Sequence, residues 1–260
     1  MAFAARNVLA QRLAGLHKPG TPLVLANVWD GISAAALLET PAAAAATASF
    51  AVAAALGLGD DDLSLSQNVA AISVVTRVLA DRIPLSADLQ DGYGPNLAEA
   101  VSSAIAAGAV GCNLEDVHPH STTLYPIPEM IQRLKTVRDT AASLGVPDFV
   151  INARTDTLRV GRSVEEVVER GKAYLDAGAN TVFPWGGRAR SLTEEEVTRF
   201  VKEFDGRVSV ILGNVGGEAL TTRRLSELGI ARISVGPALM RIGVENFKKV
   251  ATGLISGGGL

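Results

Sequence analysis

The sequence predicts a (β/α)8 TIM barrel, a single α/β domain over residues 1–260, and three observations carry that expectation. Short apolar, β-prone runs recur about eight times along the chain with amphipathic helical stretches between them, the alternation a closed parallel barrel uses. Most of these runs are apolar throughout, as parallel strands covered by helices are. Glycine recurs between a helix and the next strand, at Gly108, Gly178 and Gly229, where a left-handed helix stop suits it.

The elements follow in order. An amphipathic helix opens the chain, with Val8, Leu9, Leu13 and Leu16 beside Arg6, Gln11 and Arg12. Strands are expected at Leu23–Ala26, Ala44–Ala48, Leu85–Asp88, Val110–Glu115, Phe149–Arg154, Thr181–Pro184, Val208–Leu212 and Arg232–Val235. The alanine-rich run 42–55 is too short and too weakly apolar to span a membrane, and reads as a barrel strand plus loop. Asn96, three residues before Glu99, reads as a helix cap. The glycines at 257–259 read as a frayed tail.

Composition narrows the function. Hydrophobic residues make up 48% and charged residues 20%, which favours a globular chain, and a net charge of -3 offers no basic field to nucleic acid. The single cysteine, Cys112, excludes an intramolecular disulfide framework and argues against a zinc cluster. With no signal-peptide pattern at the start, the expectation is a cytoplasmic protein that binds no membrane.

Barrel chemistry sits at the C-terminal ends of the strands. The polar residues expected there are Asn27, Trp29, Asp30, Ser49, Asp88, Gln90, Asp91, Glu115, Asp116, Arg154, Asp156, Trp185, Asn214 and Ser234. Asp88 and Glu115 end consecutive strands, so their carboxylates should converge. Hard oxygen donors with room for water suit Mg²⁺ or Mn²⁺. Such an ion would hold an oxo acid and stabilise an enolate, while the Arg154 fork clamps an acid group. A barrel-top salt-bridge network explains the same residues equally well. Trp29 and Asn214 complete the candidate substrate contacts.

Five segments together resemble the isocitrate lyase/phosphoenolpyruvate mutase superfamily. They are Leu25–Ala34, Thr47–Ser49 followed by Ala55–Asp60, Ser86–Gly94, Gly111–Asp116 and Ile151–Asp156, and Ile230–Gly236 is similar to the family's last strand. The resemblance implies that Asp88 contacts the metal, with Asp60 and Glu115 holding metal-bound waters. It implies that Ser49 and the backbone N–H groups of Phe50 and Ala51 bind the substrate carboxylate, and that Arg154 clamps the substrate. It also implies a homotetramer that exchanges its last helix. The sequence departs from the family at Gln90, where a second acid is usual, at Gly59, where proline is usual, and at Phe50, where a small residue is usual. The loop after Glu115 lacks the cysteine of isocitrate and methylisocitrate lyases, which argues against those two activities.

Other residues carry paired readings. Cys112 lies inside a strand and reads as core. His118 and His120 are candidate proton donors or solvated loop residues, and the loop 117–125 is expected to be a mobile lid. The glycines after Asn214 and Ser234 suit a phosphate site or tight turns, with turns favoured. Asp30 lines the site or caps a helix. No lysine falls at a strand end, so Schiff-base chemistry is disfavoured. Three functions remain open: a Mg²⁺-dependent lyase or hydrolase cleaving a C–C bond of a small α-oxo or α-hydroxy acid, a phosphonate mutase or hydrolase acting on a P–C bond, and a non-catalytic metabolite-binding protein with a decayed site.

Overall fold

A computed structural model describes residues 3–188, 190–215 and 218–259, with the backbone alone for residues 3, 4, 214, 215, 218 and 219. Helix α1 (Phe3–Leu16) precedes a first barrel strand split into β1 (Leu23–Leu25) and β2 (Asn27–Val28). Then come α2 (Gly31–Leu38), β3 (Ala45–Thr47), α3 (Ser49–Ala55), α4 (Leu65–Leu79), β4 (Leu85–Asp88), α5 (Leu97–Ala107) and β5 (Gly111–Glu115). The second half runs α6 (Ile127–Ser143), β6 (Val150–Thr155), α7 (Val164–Asp176), β7 (Thr181–Pro184), α8 (Glu194–Glu203) and β8 (Ser209–Ile211). A small hairpin, β9 (Asn214–Val215) and β10 (Glu218–Ala219), precedes α9 (Thr222–Glu227), β11 (Arg232–Ser234) and α10 (Ala238–Ile255).

Parallel pairing runs β2-β3-β4-β5-β6-β7, and a second parallel sheet runs β1-β11-β8. A parallel bridge between Val182 and Val208 joins β7 to β8, which closes the ring of eight barrel strands. The expected barrel is thus the observed one, and the predicted strands coincide with it to within one residue at each end, except that the first continues to Val28. The reason is physical: strands such as β5 and β6 are buried over nearly their whole length, so their apolar runs are uninterrupted.

Helix α1 lies against the start of these strands. Leu13 is fully buried, and a Cβ on Gly111 would come within 2.9 Å of its Cδ2 and 2.8 Å of the Val150 carbonyl, so glycine is required there. Val8, expected on the buried stripe, is instead 63% exposed, because Ala10 and Leu13 supply the packed face. Two other local expectations fail. Asn96 precedes α5 but makes no side-chain cap, and residues 49–55 form the helix α3 where a loop was expected. Gly108 does end α5 with φ +114, as the left-handed stop requires.

A buried cation sits in the barrel at Arg232, which bonds Ser86 Oγ at 3.3 Å and approaches His17 Nε2 at 3.5 Å. Burial and the Arg232 charge lower the His17 pKa to about 3, while its Nδ1 meets the Leu13 carbonyl at 2.8 Å. The folded state therefore keeps this imidazole neutral at pH values where the unfolded chain protonates it. Stability is unaffected by His17 above its ordinary pKa of 6.5 and falls as the pH drops from there towards about 3. The expected slope approaches one proton, about 1.4 kcal/mol per pH unit. Denaturant titrations of wild type and His17→Gln across that window check it, the variant showing the shallower decline.

No residue of α10 is buried, and Leu239, Ile242, Phe247, Val250 and Ile255 stand exposed along it. Among the described residues no helix is long and apolar enough to cross a membrane.

Candidate active site

Most groups of the site are presented by a strand end or the turn after it. Asp88 closes β4, and its backbone N–H donates to Thr47 Oγ1 at 2.8 Å, which ties β4 to β3. Asp88 Oδ2 accepts the Ser49 backbone N–H at 2.9 Å and Oδ1 accepts Asn113 Nδ2 at 3.1 Å. Each carboxylate oxygen has about two acceptor positions, so Asp88 keeps capacity for further ligands.

Glu115 closes β5 in register with Arg154 on β6. Arg154 Nη1 donates to Glu115 Oε1, while its Nε and Nη2 fork onto Asp156 at 2.6 and 3.0 Å. The Trp185 ring stacks 3.9 Å from the Arg154 Cζ. Three of the five guanidinium hydrogens are then committed, which leaves one on each terminal nitrogen for a ligand. Asp156 is fully buried and also accepts Arg159 at 2.7 Å.

Asp60 lies in the turn after α3. Gln90 holds it, donating to its carbonyl at 2.7 Å and its carboxylate at 3.3 Å. The residue that departs from the family pattern thus anchors the acid loop. Gly59, the other departure, has φ -71 and ψ 157, a conformation open to proline.

The electrostatics follow from crowding. Burial raises the Asp60 pKa, and the neighbouring Asp88 charge adds to it, against a hydrogen bond from Ser49 and the Arg154 charge. Burial likewise pushes Glu115 well above the carboxylate range; Arg154 opposes this, and Asp156, Asp88 and Asp60 reinforce it. Burial works against the Arg154 charge, but Asp156 and Glu115 outweigh it and raise its pKa. Four carboxyl groups, Asp60, Asp88, Glu115 and Asp156, share two guanidinium groups, Arg154 and Arg159. With all ionised, the cluster has two negative charges in excess, a deficit that a divalent cation or protons would fill.

Among the described residues, no three His, Cys, Asp or Glu side chains are arranged to hold a metal directly. Mg²⁺ does not need such a cage, since it keeps several waters and binds through one or two carboxylates plus substrate oxygens. The donor set here, all oxygen and short of positive charge, fits that mode. Asp88 would hold the ion, with Asp60 and Glu115 reached through water.

The remaining expectations divide. Ser49 is buried beside Asp60 and Asp88. The Ala51 N–H is spent on the Ala48 carbonyl at 3.0 Å, so it is not free to bind substrate; the half-buried Phe50 stands at the same helix start. Trp29 packs with the small cluster of Val52, Ala53 and Leu63. Asn214 falls on β9, where side chains lie outside the described residues, as do Gly216 and Gly217. Asp30 caps α2, accepting the Ser33 N–H at 2.7 Å, the second of its two expected roles.

The histidine loop is held at its base. Val117 and Leu124 pair across it as a bridge, and Val117, Leu124 and Tyr125 are buried, so its two ends are pinned and only the tip projects. His118 stacks on Tyr125 with 3.8 Å between ring centroids. His120 is 63% exposed, 3.8 Å from Asp61. Among the described residues, neither histidine bonds to Asp88, Glu115 or Arg154.

Two residues without an assigned role belong to the site. Tyr93 has φ +62, and its hydroxyl accepts Asn68 Nδ2 at 2.8 Å, the same amide bonding the Asp88 carbonyl at 2.9 Å. The flanking pair Gly92 and Gly94 was the available signal. Asp116, fully buried, accepts the Asp156 N–H at 2.8 Å and the hydroxyls of Thr155 and Tyr174 at 2.7 Å each. It therefore positions Asp156 under Arg154.

Cys112 is fully buried, and burial pushes its thiol up to about 12. Cys112→Ser is expected to leave turnover within a few-fold, measured on the best substrate found. A fall of about a thousandfold in the folded variant would assign the thiol a chemical role.

The chain matches known proteins along most of its length. A family profile for phosphoenolpyruvate phosphomutase matches residues 13–255. The chain is 36% identical to the 2-methylisocitrate lyase of Escherichia coli strain K12 over 51% of its own length but only 45% of that lyase, less than half of it. It is 27% identical to the phosphoenolpyruvate phosphomutase of Streptomyces hygroscopicus over 83% of the chain and 70% of the relative. A crystal structure from Burkholderia cenocepacia J2315 superposes with a TM-score of 0.84 at 31% identity, covering 97% of this chain and all of that one. From the acidic strand ends to the length of the match, the chain belongs to the phosphoenolpyruvate phosphomutase family, within the isocitrate lyase/phosphoenolpyruvate mutase superfamily.

Proposed function

We propose that the chain is a Mg²⁺-dependent enzyme, with Mn²⁺ as substitute, that cleaves a C–C bond of a small α-oxo or α-hydroxy acid. The observation that carries this reading is the negative excess around Asp88, Glu115 and Asp60 beside a stacked Arg154 with two hydrogens to spare. A bound divalent ion supplies Lewis-acid stabilisation of enolate charge. The protein does the rest. Asp88 fixes the ion's place and is itself held by Ser49 and Asn113. Arg154, locked by Asp156 and Glu115, offers its outer hydrogens to the substrate carboxylate. Trp185 shields that ion pair from water, which strengthens it. Ser49 lies against the same end of the site.

A P–C bond is the second reading, favoured by the match to the phosphomutase along most of the chain. A site serving only to bind metabolites is the third. A screen of oxaloacetate, substituted malates and phosphonopyruvate with Mg²⁺, reading release of pyruvate, glyoxylate or oxalate and formation of phosphoenolpyruvate, separates all three. Release from the carboxylic acids alone supports the first, release from phosphonopyruvate supports phosphonate hydrolysis, and conversion to phosphoenolpyruvate without release supports a mutase. Binding without turnover across the panel supports the third and rejects the enzyme.

The reading extends to assembly. An α10 with no buried residue and an exposed apolar stripe supports exchange of that helix between subunits of a homo-oligomer, a tetramer by family resemblance. The protein is read as cytoplasmic.

A further inference from the structure

Outside the carboxylate cluster, at the mouth of the barrel, stands a group of opposite charge. The Phe50 ring carries two guanidinium groups: the Cζ of Arg188, from the segment after β7, lies 4.5 Å from its centroid, and that of Arg241, from the first turn of α10, lies 5.0 Å away. Nearby arginines are neutralised, Arg159 by Asp156 and Arg190 by Glu196. Arg188 and Arg241 form no such ion pair among the described residues. A cation–π contact at an exposed position is a small term, and two like charges on one ring oppose each other. The pair lacks an anion.

Its place ties it to the site. Phe50 directly follows Ser49, whose N–H donates to Asp88 at 2.9 Å, and Arg188 lies three residues beyond Trp185, which stacks on Arg154. The start of α3 and the segment after β7 therefore each supply one inner and one outer group. The inner group is short of positive charge and the outer group short of negative charge.

We propose that Arg188 and Arg241 form an outer anion subsite that takes a second acidic group of the substrate, distal to the oxo acid held at Asp88 and Arg154. This rests on the reading of the inner site given above. Guanidinium forks match the planar oxygens of a carboxylate and the oxygens of a phosphonate alike. A neutral tail leaves both cations without a partner, so the subsite selects diacids over monoacids. The bulky Phe50 gains a role: its ring holds the two guanidinium groups on one surface.

The test compares pyruvate, oxaloacetate, phosphonopyruvate and oxalate with Mg²⁺ in wild type and in the Arg188→Gln/Arg241→Gln double variant. Calorimetric Kd is read, or KM where the probe is turned over. In wild type at least one of the two longer diacids is expected to bind about tenfold or more tighter than pyruvate, and the double variant to lose that advantage. Oxalate, too short to leave the inner site, should change by less than about twofold. A diacid preference that survives in the double variant, or pyruvate binding as tightly as both diacids in wild type, overturns the subsite alone. Wild type with no Mg²⁺-dependent oxalate binding overturns the inner reading and the subsite with it.

Discussion

Asp88→Ala is expected to abolish Mg²⁺-dependent oxalate binding, a loss of at least about a hundredfold, since changes even to groups that only support a metal ligand commonly lower affinity tenfold to a hundredfold. Asp88 is the acid that sits centrally: Ser49 and Asn113 orient it, and Asp60 and Glu115 both feel its charge. Removing it relieves the repulsion on those two carboxyls and costs the acceptors of the Ser49 N–H and the Asn113 amide, opposing effects that should leave the apo variant within about 2 kcal/mol of wild type. That combination separates a ligand from a structural residue. Calorimetry for binding and denaturant unfolding for stability read the two effects. Unchanged oxalate affinity would contradict the assignment.

The second large effect is expected from Asp116→Ala, and it is one of stability. Removing this carboxylate leaves the Asp156 N–H without its acceptor and takes a partner from the Thr155 and Tyr174 hydroxyls and from Arg170, whose Nη1 lies 3.5 Å from Asp116 Oδ2 and which keeps Glu166 and the Tyr125 carbonyl. Breaking one partner of a buried ionic network costs about 3–5 kcal/mol. Asp156 would lose its backbone anchor and Arg154 its platform, so oxalate binding should weaken as well. A change in unfolding free energy below about 1 kcal/mol would show that water replaces the lost acceptors without penalty.

The barrel was legible because its strands are buried on both faces, so apolar runs and terminal glycines repeat without interruption. Asp88, Glu115 and Arg154 were legible because strand ends converge whatever the loops do. The errors share a cause in contacts distant in sequence or in local backbone that a pattern does not encode. Pinning of the histidine loop depends on Val117 meeting Leu124 and on Tyr125 reaching Asp91 at 2.8 Å. Ala51 was misassigned because the helix start spends its own donor. Asp116 was placed at a strand end without a role, because its partners Asp156, Thr155 and Tyr174 lie about 40 or more residues away, and Tyr93 reaches the site only through a left-handed turn. Gln90 read as a loss, yet its amide holds the Asp60 turn, a contact of 30 residues' separation.

The central claim is that the barrel-top carboxylates hold a divalent ion that in turn holds an oxo acid. Titration of the wild-type protein with oxalate, once in Mg²⁺ and once in EDTA, tests it most directly. Oxalate binding that appears with Mg²⁺ and vanishes in EDTA is the predicted result; equal binding in both, carried by Arg154 alone, would contradict it.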